Sequence, residues 1–476
     1  MKRLFAFLLI LVMLFTVVSC MRQPRVEDVT PVAESSETTQ EEPSEADSRI
    51  DSLPGADWNG RGFRIATDDP SLIIPTDTIS YVGKKIYERN CAVEKKFNVK
   101  IVYLLSGESG QSSVTEQIRA HALAGEDYCD LAVVSVSACQ QLVMDNCLLN
   151  AASIPYVSGS GSGVFSSATN AMTIGSVTYG FCGDFCYSGD SLYVLFFNKM
   201  LAASTGLPDL YQLVRDHSWD QQYFNLYTQE AFSLGKINGA KIYGFASTDP
   251  AESLLQAFWA ASDLKYVDNP YGGVPTLAYD SSAIRDGFIK QTKSILKGNI
   301  AYQNNKSAAL EAFNNGEILF LAAPINTIEE VKNSSVDWGL IPIPEYDINQ
   351  ETHKTYQKLE YQVACFPKGI ESIDLSGQIT QALFAASEGM SRDLTLTKYL
   401  NLYLRSSQDG EMLKLCVREP YFDPTEFFGK IHTEYGASTQ TLIQRVVFSD
   451  GNYNQLYKQY SLMFSKFVNE KVLTSM

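Results

Sequence analysis

Three strand-like runs, residues 63–67 (FRIAT), 99–104 (VKIVYL) and 130–136 (DLAVVSV), decide the fold class of this chain. Between them, apolar side chains recur every three or four positions over residues 86–97 and 114–122, a spacing typical of amphipathic helices. A β-α-β-α-β order predicts a parallel sheet with right-handed helical crossovers. The sequence therefore predicts an α/β fold.

Polar residues follow two of these strands. Asp68 and Asp69 come after the first strand, and Ser135 and Ser137 lie at the end of the third. The carboxyl ends of parallel strands meet at one edge of a sheet, where ligands bind in open α/β folds. We expect these four side chains to face such a crevice, the alternative for each being a turn, a helix cap or a core position.

The rest of the chain repeats this alternation. Residues 192–197 (LYVLFF), 318–322 (ILFLA) and 361–366 (YQVACF) read as further buried strands, separated by helical patterns. The chain has 476 residues, of which 45% are hydrophobic and 19% charged. That length fits two to three domains, and that composition supports a large core.

The charge balance excludes some classes of function. Lys and Arg total 38 against 54 Asp and Glu, a formal net charge of −16. Binding to nucleic acid or to an anionic membrane surface requires a basic face, so the balance argues against both. The four histidines are far apart in sequence, which argues against a histidine metal centre. We expect no metal and no cofactor.

The first twenty residues predict export. Lys2 and Arg3 precede an apolar run over residues 4–18, which is shorter than the roughly 20 residues that a spanning helix needs. The run ends in residues 17–20 (VVSC), which resemble a bacterial lipobox. That resemblance implies a signal peptide over residues 1–19 and a diacylglycerol-modified Cys20. Plain secretion with an unmodified cysteine is the alternative.

An acidic stretch rich in Ser, Thr and Pro follows. Residues 34–43 (ESSETTQEEP) are representative, and large apolar residues are rare. Such a composition does not bury enough surface to offset chain entropy, so we expect residues 20–57 to form a disordered tether.

Eight further cysteines leave two interpretations open. An even count in an exported chain is compatible with disulfides, and Cys182 and Cys186 form the only close pair. Most of the others lie in apolar segments, where a free cysteine packs as a small hydrophobe. We interpret those as reduced core thiols.

Sequence motifs of catalysis are missing. The chain has no Gly-x-Ser-x-Gly elbow, phosphate loop, His-Glu-x-x-His motif or dinucleotide fingerprint. A glycosidase needs only two facing carboxylates, so an exported hydrolase stays an alternative.

Several further segments carry a joint signal: 87–90 (YERN), 197–201 (FNKML), 206–211 (GLPDLY), 219–220 (WD), 312–317 (AFNNGE), 338–350 (WGLIPIPEYDINQ) and 409–413 (DGEML). Together they resemble the family 1 extracellular solute-binding proteins, the maltose-binding-like group of ABC importers, in a clostridial-type branch. The resemblance covers most of the chain from Trp58 onward. Glu345 stands where that branch usually has Lys, and Pro324 and Ile325 stand where the family has a tryptophan plate.

The resemblance implies a two-lobed periplasmic-binding-protein-like fold of type II. Each lobe would be a mainly parallel sheet flanked by helices, and interlobe crossover strands would join the two. The first lobe would comprise residues 58–190 and 361–417, and the second residues 191–360 and 418–476.

By position in the family, four more residues are expected at the ligand. Tyr187 and Asp190 precede the first crossover, Asn326 follows a second-lobe strand, and Tyr361 begins the return crossover. Trp259 would make a good plate for a sugar ring, but its apolar neighbours favour a core position.

The function implied is a lipid-anchored, monomeric substrate-binding protein on the extracytoplasmic face of the cell membrane. It would capture a small solute, expected to be a carbohydrate, and deliver it unaltered to ABC permease subunits. It would not be an enzyme. A sensory or adhesive binding lipoprotein is a further alternative, beside the exported hydrolase.

Overall fold

A computed structural model describes most of the chain. The described residues are 44–105, 113–270, 273–278, 287–297, 301–302, 305–346, 350, 353–358, 361–401, 403–428 and 439–472. The expected signal peptide, the expected lipidation site Cys20 and most of the expected tether lie outside them.

The strands carry labels in chain order. They are β1 Arg61–Thr67, β2 Val99–Leu105, β3 Leu131–Ser135, β4 Thr173–Ile174, β5 Val177–Thr178, β6 Tyr193–Asn198, β7 Tyr243–Ser247, β8 Val267–Asp268, β9 Thr276–Leu277, β10 Ala301–Tyr302, β11 Ile318–Pro324, β12 Trp338–Ile341, β13 Thr355–Tyr356, β14 Gln362–Cys365 and β15 Pro420–Tyr421.

The helices are labelled in the same way. They are α1 Glu45–Ile50, α2 Tyr81–Phe97, α3 Val114–Ala124, α4 Val136–Met144, α5 Ser166–Ala171, α6 Lys199–Ser204, α7 Leu210–Arg215, α8 Gln221–Asn238, α9 Ala251–Ala261, α10 Ile289–Leu296, α11 Lys306–Asn314, α12 Ile328–Val331, α13 Ile373–Ala386, α14 Met390–Leu400, α15 Ser407–Cys416, α16 Pro424–Phe428, α17 Thr439–Phe448 and α18 Tyr453–Phe467. None of the described helices combines the length and apolarity that crossing a membrane requires.

The first sheet has the strand order β14-β3-β1-β2. Strands β1, β2 and β3 are parallel, as the β-α-β-α-β pattern predicts, and β14 is antiparallel to β3. Local sequence sets the helices between them. Ser113 and Glu116 form a capping box at the start of α3, and Gly125 ends it with φ 72°, a conformation that glycine adopts at little cost.

The second sheet has the order β10-β7-β11-β6-β12. Strands β10, β7 and β11 are parallel, whereas β6 is antiparallel to both β11 and β12. Every residue of β6 and β11 is buried, which explains why both strands read as continuous apolar runs. The α/β fold class with two helix-flanked sheets is thereby confirmed.

The chain crosses between the sheets along neighbouring segments. Residues 181–193 lead from the first sheet into β6, and residues 341–361 return to β14. The two crossings lie side by side, since Leu192 pairs with Gln357 and Phe181 pairs with Ala364 in antiparallel bridges. Both sheets belong to one compact unit, residues 43–476.

The tether prediction is wrong for its last part. Residues 45–50 form helix α1, whose Ala46 and Ile50 are buried against α2 and α13. Ser44 and Asp47 form a capping box that starts this helix. Ala46 and Ile50 lie four positions apart and form one buried face, which is the pattern of a helix. The polar composition around them led to the prediction of disorder instead.

The exact lobe limits stay a prediction, and some elements pack differently from it. Helix α15, which we assigned to the first lobe, packs on β12 of the second sheet through Met412 and Leu413. At the other end, Phe464 and Phe467 of α18 join the core beside the first sheet. In both cases a helix has an apolar stripe that packs on one lobe, and the sequence does not specify which lobe that is.

The described cysteines carry free thiols, which agrees with the interpretation of reduced core residues. Cys182 and Cys186 are both buried in the first crossing and are not joined by a disulfide.

Candidate functional site

A cavity of about 160 Å³ lies between the two sheets, and we call it the cleft. It is formed by the loop after β1, the first crossing, the turn after β11 and the return crossing. Its lining residues are Asp69, Ser71, Leu72, Ile73, Cys186, Ser188, Asp190, Ser191, Asn326, Gln357, Tyr361 and Gln362. Carboxyl ends of strands from both sheets therefore meet at one cavity.

The loop after β1 is fixed by a buried arginine. Arg89 of α2 is 1% exposed and donates hydrogen bonds to the carbonyl oxygens of Leu72 (2.9 Å) and Ile73 (3.1 Å). Asn90 adds a bond to the Ile73 carbonyl at 3.2 Å. Nearer the strand, the Asp69 carboxylate accepts the backbone N–H of Ser71 at 3.0 Å. These bonds set the wall of the cleft on the first-sheet side.

The other walls are tied to one another by backbone hydrogen bonds. The N–H of Ile325 donates to the carbonyl of Leu192 at 2.8 Å, which joins the end of β11 to the first crossing. The N–H of Lys358 donates to the carbonyl of Ser191 at 3.1 Å, which joins the return crossing to the first. Asn326 and Gln357 are thereby held on either side of the first crossing.

Ion pairs anchor the two crossings. The carboxylate of Asp249, just after β7, accepts the Tyr193 hydroxyl at 3.0 Å and pairs with Lys358. Burial raises the pKa of Tyr193, so the hydroxyl stays protonated and acts as a donor. Asp190 at the cleft pairs with Lys398 of α14 at 2.9 Å.

Four of the predicted residues, Asp69, Asp190, Asn326 and Tyr361, share the lining of the cleft. They come from four separate chain segments, yet the structure brings them to one cavity. Their role in ligand binding stays a prediction.

The other predicted residues lie elsewhere. The Asp68 carboxylate accepts the Val114 N–H at 3.3 Å at the start of α3. Ser135 caps α4 by accepting the Ala138 N–H at 3.2 Å, and its hydroxyl lies 3.2 Å from that of Ser137. These are the cap roles that the sequence left open as alternatives.

Tyr187 lines a second cavity of about 390 Å³. Its ring packs against Phe165 and Phe422, with centroid distances of 5.2 and 6.0 Å. Tyr187 faces this second cavity, whereas its neighbours Cys186 and Ser188 face the cleft. Sequence spacing alone does not show which of these faces meets which cavity.

Trp259 is a core residue. It is fully buried and stacks on Tyr266 with a centroid distance of 4.2 Å and an interplanar angle of 10°. The interpretation of Trp259 as core is therefore confirmed.

Sequence reasoning missed several lining residues, above all Gln357 and Gln362. Gln357 lies on the return crossing before Tyr361, and Gln362 follows Tyr361 as the first residue of β14. The position of that crossing in the sequence was therefore the available signal for both residues. Within the described part of the chain, His, Cys, Asp and Glu side chains do not gather into a group able to hold a metal ion.

Comparison with solved structures identifies the fold. The sugar-binding protein MalE of Xanthomonas citri matches with a TM-score of 0.55 at 12% identity, over 86% of this chain and 98% of that one. A family 1 extracellular solute-binding protein of Bifidobacterium longum subsp. infantis gives 0.54 at 10% identity, over 86% and 100%. This chain has the fold of the family 1 extracellular solute-binding proteins.

A third solute-binding protein with this fold is the galacto-N-biose/lacto-N-biose I-binding protein of a Bifidobacterium longum ABC transporter, solved with lacto-N-biose. It matches with a TM-score of 0.53 at 10% identity, over 87% of this chain and 98% of that one. No family model and no curated protein matches the sequence. The solute-binding fold is thus supported by structure alone.

Proposed function

We propose that this protein is the extracytoplasmic substrate-binding component of an ABC importer and that it binds a small carbohydrate in the cleft. The observation that carries the proposal is the single cavity built from strand ends of both sheets and from both crossings. Two of the matched proteins are described as binding sugars, which supports the ligand class.

The mechanism is capture, closure and release, without a chemical step. A ligand that contacts residues of both sheets, such as Asp69 and Asn326, stabilises the arrangement in which the two sides lie close together. Only contacts that differ between the open and closed arrangements shift that equilibrium. ABC permease subunits would distinguish the loaded from the empty protein, and the ligand would leave unaltered.

Calorimetric titration with a panel of saccharides tests this function. We expect Asn326→Ala to weaken binding at least tenfold, about 1.4 kcal/mol, because a cleft residue of the second sheet loses its polar contact. Asn333→Ala is the matched control, since Asn333 is exposed and lies outside the cleft. Equal affinities of both variants, or chromatographic evidence that the ligand is converted, would contradict the proposal.

The proposal includes a lipid anchor on Cys20, with the protein held monomeric at the outer face of the cell membrane. Its support is the lipobox-like sequence VVSC at residues 17–20. Acyl chains contribute about 0.8 kcal/mol per buried methylene to membrane binding. Cys20→Ala should move the protein from the membrane fraction to the soluble fraction on cell fractionation. A variant that stays with the membrane as firmly as the wild type would rule out this anchor.

A further inference from the structure

Two residues that line the cleft carry buried hydrogen-bond acceptors that the described residues leave unsatisfied. The Oε1 atoms of Gln357 and Gln362 are buried and have no hydrogen-bond partner within the described part of the chain. Gln357 is only 2% exposed and lines the cleft. A buried acceptor without a donor is unfavourable, so a ligand whose N–H or O–H groups reach these atoms gains affinity there.

The charged side chains in the described lining of the cleft are all acidic. Among the described residues that line it, Asp69 and Asp190 are the charged ones, and none is Lys, Arg or His. Asp190 pairs with Lys398 at 2.9 Å, and the same lysine lies 2.9 Å from Glu329. Asp69 forms no ion pair with a described cation, and its carboxylate accepts the Ser71 N–H at 3.0 Å. One uncompensated carboxylate repels an anionic ligand and attracts a cationic one.

The lining disfavours long sugar chains. Tyr361 is the one aromatic residue among the described lining residues, and Ile325 lies buried beside Asn326. Stacking of several sugar rings requires several aromatic plates, whereas a single polar ring is held by hydrogen bonds. A cavity of about 160 Å³ suits one ring.

On the basis of the proposed function, we propose that the cleft selects a small hydroxylated ligand with a protonated amine, of the amino-sugar class. The hydroxyl and ammonium groups donate to Gln357 and Gln362, and the ammonium pairs with Asp69. Neutral sugars lose the ion pair, and sugar acids are repelled.

Titration calorimetry of the purified full-length protein at neutral pH tests the inference. The probes are glucosamine, glucose, N-acetylglucosamine, glucuronate and maltotriose. We expect glucosamine to bind at least tenfold more tightly than glucose and N-acetylglucosamine, and glucuronate not to bind. Added salt should weaken glucosamine binding more than glucose binding, because only glucosamine forms the ion pair.

Asp69→Asn separates charge from shape. This variant should bring the affinity for glucosamine to within about threefold of that for glucose and remove its extra salt dependence. Asp51→Asn is the control, since Asp51 is exposed and lies outside the cleft. Equal binding of glucose and glucosamine, binding of glucuronate, or tighter binding of maltotriose overturns the amine inference and leaves the carbohydrate proposal standing. Absence of binding by every probe overturns both.

Discussion

Replacing Arg89 by methionine should lower the free energy of unfolding by roughly 3–5 kcal/mol, because three backbone carbonyls lose their donor. The guanidinium donates to the carbonyl oxygens of Leu72 (2.9 Å), Ile73 (3.1 Å) and Phe185 (3.5 Å) and lies over the Phe185 ring. Burial lowers the pKa of Arg89 to about 10, so the group is still charged at neutral pH. Methionine fills a similar length but supplies no hydrogen-bond donor.

The same variant should also bind ligand at least tenfold more weakly, since Leu72 and Ile73 line the cleft. Denaturant unfolding measures the first effect and calorimetry the second. Arg119→Met is the control, because Arg119 is half-exposed and pairs with Asp145 on the surface. Arg89→Lys keeps the charge with fewer directed donors, so it should fall between wild type and Arg89→Met. A loss in Arg89→Met no larger than in the control would mean that Arg89 does not hold this loop.

Strands that are buried on both faces were predictable from the sequence. Residues 318–322 and 192–197 read as continuous apolar runs, and the structure has Ile318–Pro324 and Tyr193–Asn198 there. Strand β7, Tyr243–Ser247, was not predicted because its sequence, YGFAS, has no long apolar or β-branched run. Its pairing with β10 and β11 makes it a strand, and that pairing is a tertiary contact.

The positions of the site residues were predictable where they follow from the order and direction of the strands. Residues just after parallel strands converge, and this rule pointed to Asp69, whereas Asn326 was expected from its position in the family. It did not find Gln357, whose place depends on the pairing of the return crossing with Leu192. Nor does it distinguish a residue in the cleft from a helix cap, as Ser135 shows. Register and side-chain direction in irregular segments are set by packing, which a single sequence does not reveal.

A buried carboxylate, that of Asp409, attaches helix α15 to the second sheet. In the sequence, Asp409 begins the segment 409–413 (DGEML), which is only a weak match to the family. Asp409 is fully buried and accepts the Tyr211 hydroxyl at 2.5 Å and the Leu340 N–H at 3.0 Å. It also accepts the Ser406 hydroxyl at 2.6 Å and pairs with Lys199 at 3.3 Å. Leu340 belongs to the edge strand β12, so this carboxylate satisfies a backbone donor that no strand pairs.

Asp409→Ala should therefore cost roughly 3–5 kcal/mol of folding free energy, since it leaves a buried N–H, a tyrosine hydroxyl and a lysine without their acceptor. Burial, with the neighbouring Asp409 charge, raises the pKa of Tyr211, so its hydroxyl keeps the proton that needs an acceptor. Asp409→Asn retains one acceptor oxygen and should lose about half as much.

Asp337→Ala is the control for both variants, because Asp337 lies 3.9 Å from the same Lys199 but is 63% exposed, and an exposed pair contributes about 0–1 kcal/mol. Denaturant unfolding ranks the three variants. Ligand affinity should be unchanged in Asp409→Asn, since Asp409 lies outside the cleft. If Asp409→Ala and Asp337→Ala were equally stable, α15 would be held by its apolar face alone, and the carboxylate would have no part in joining it to the sheet.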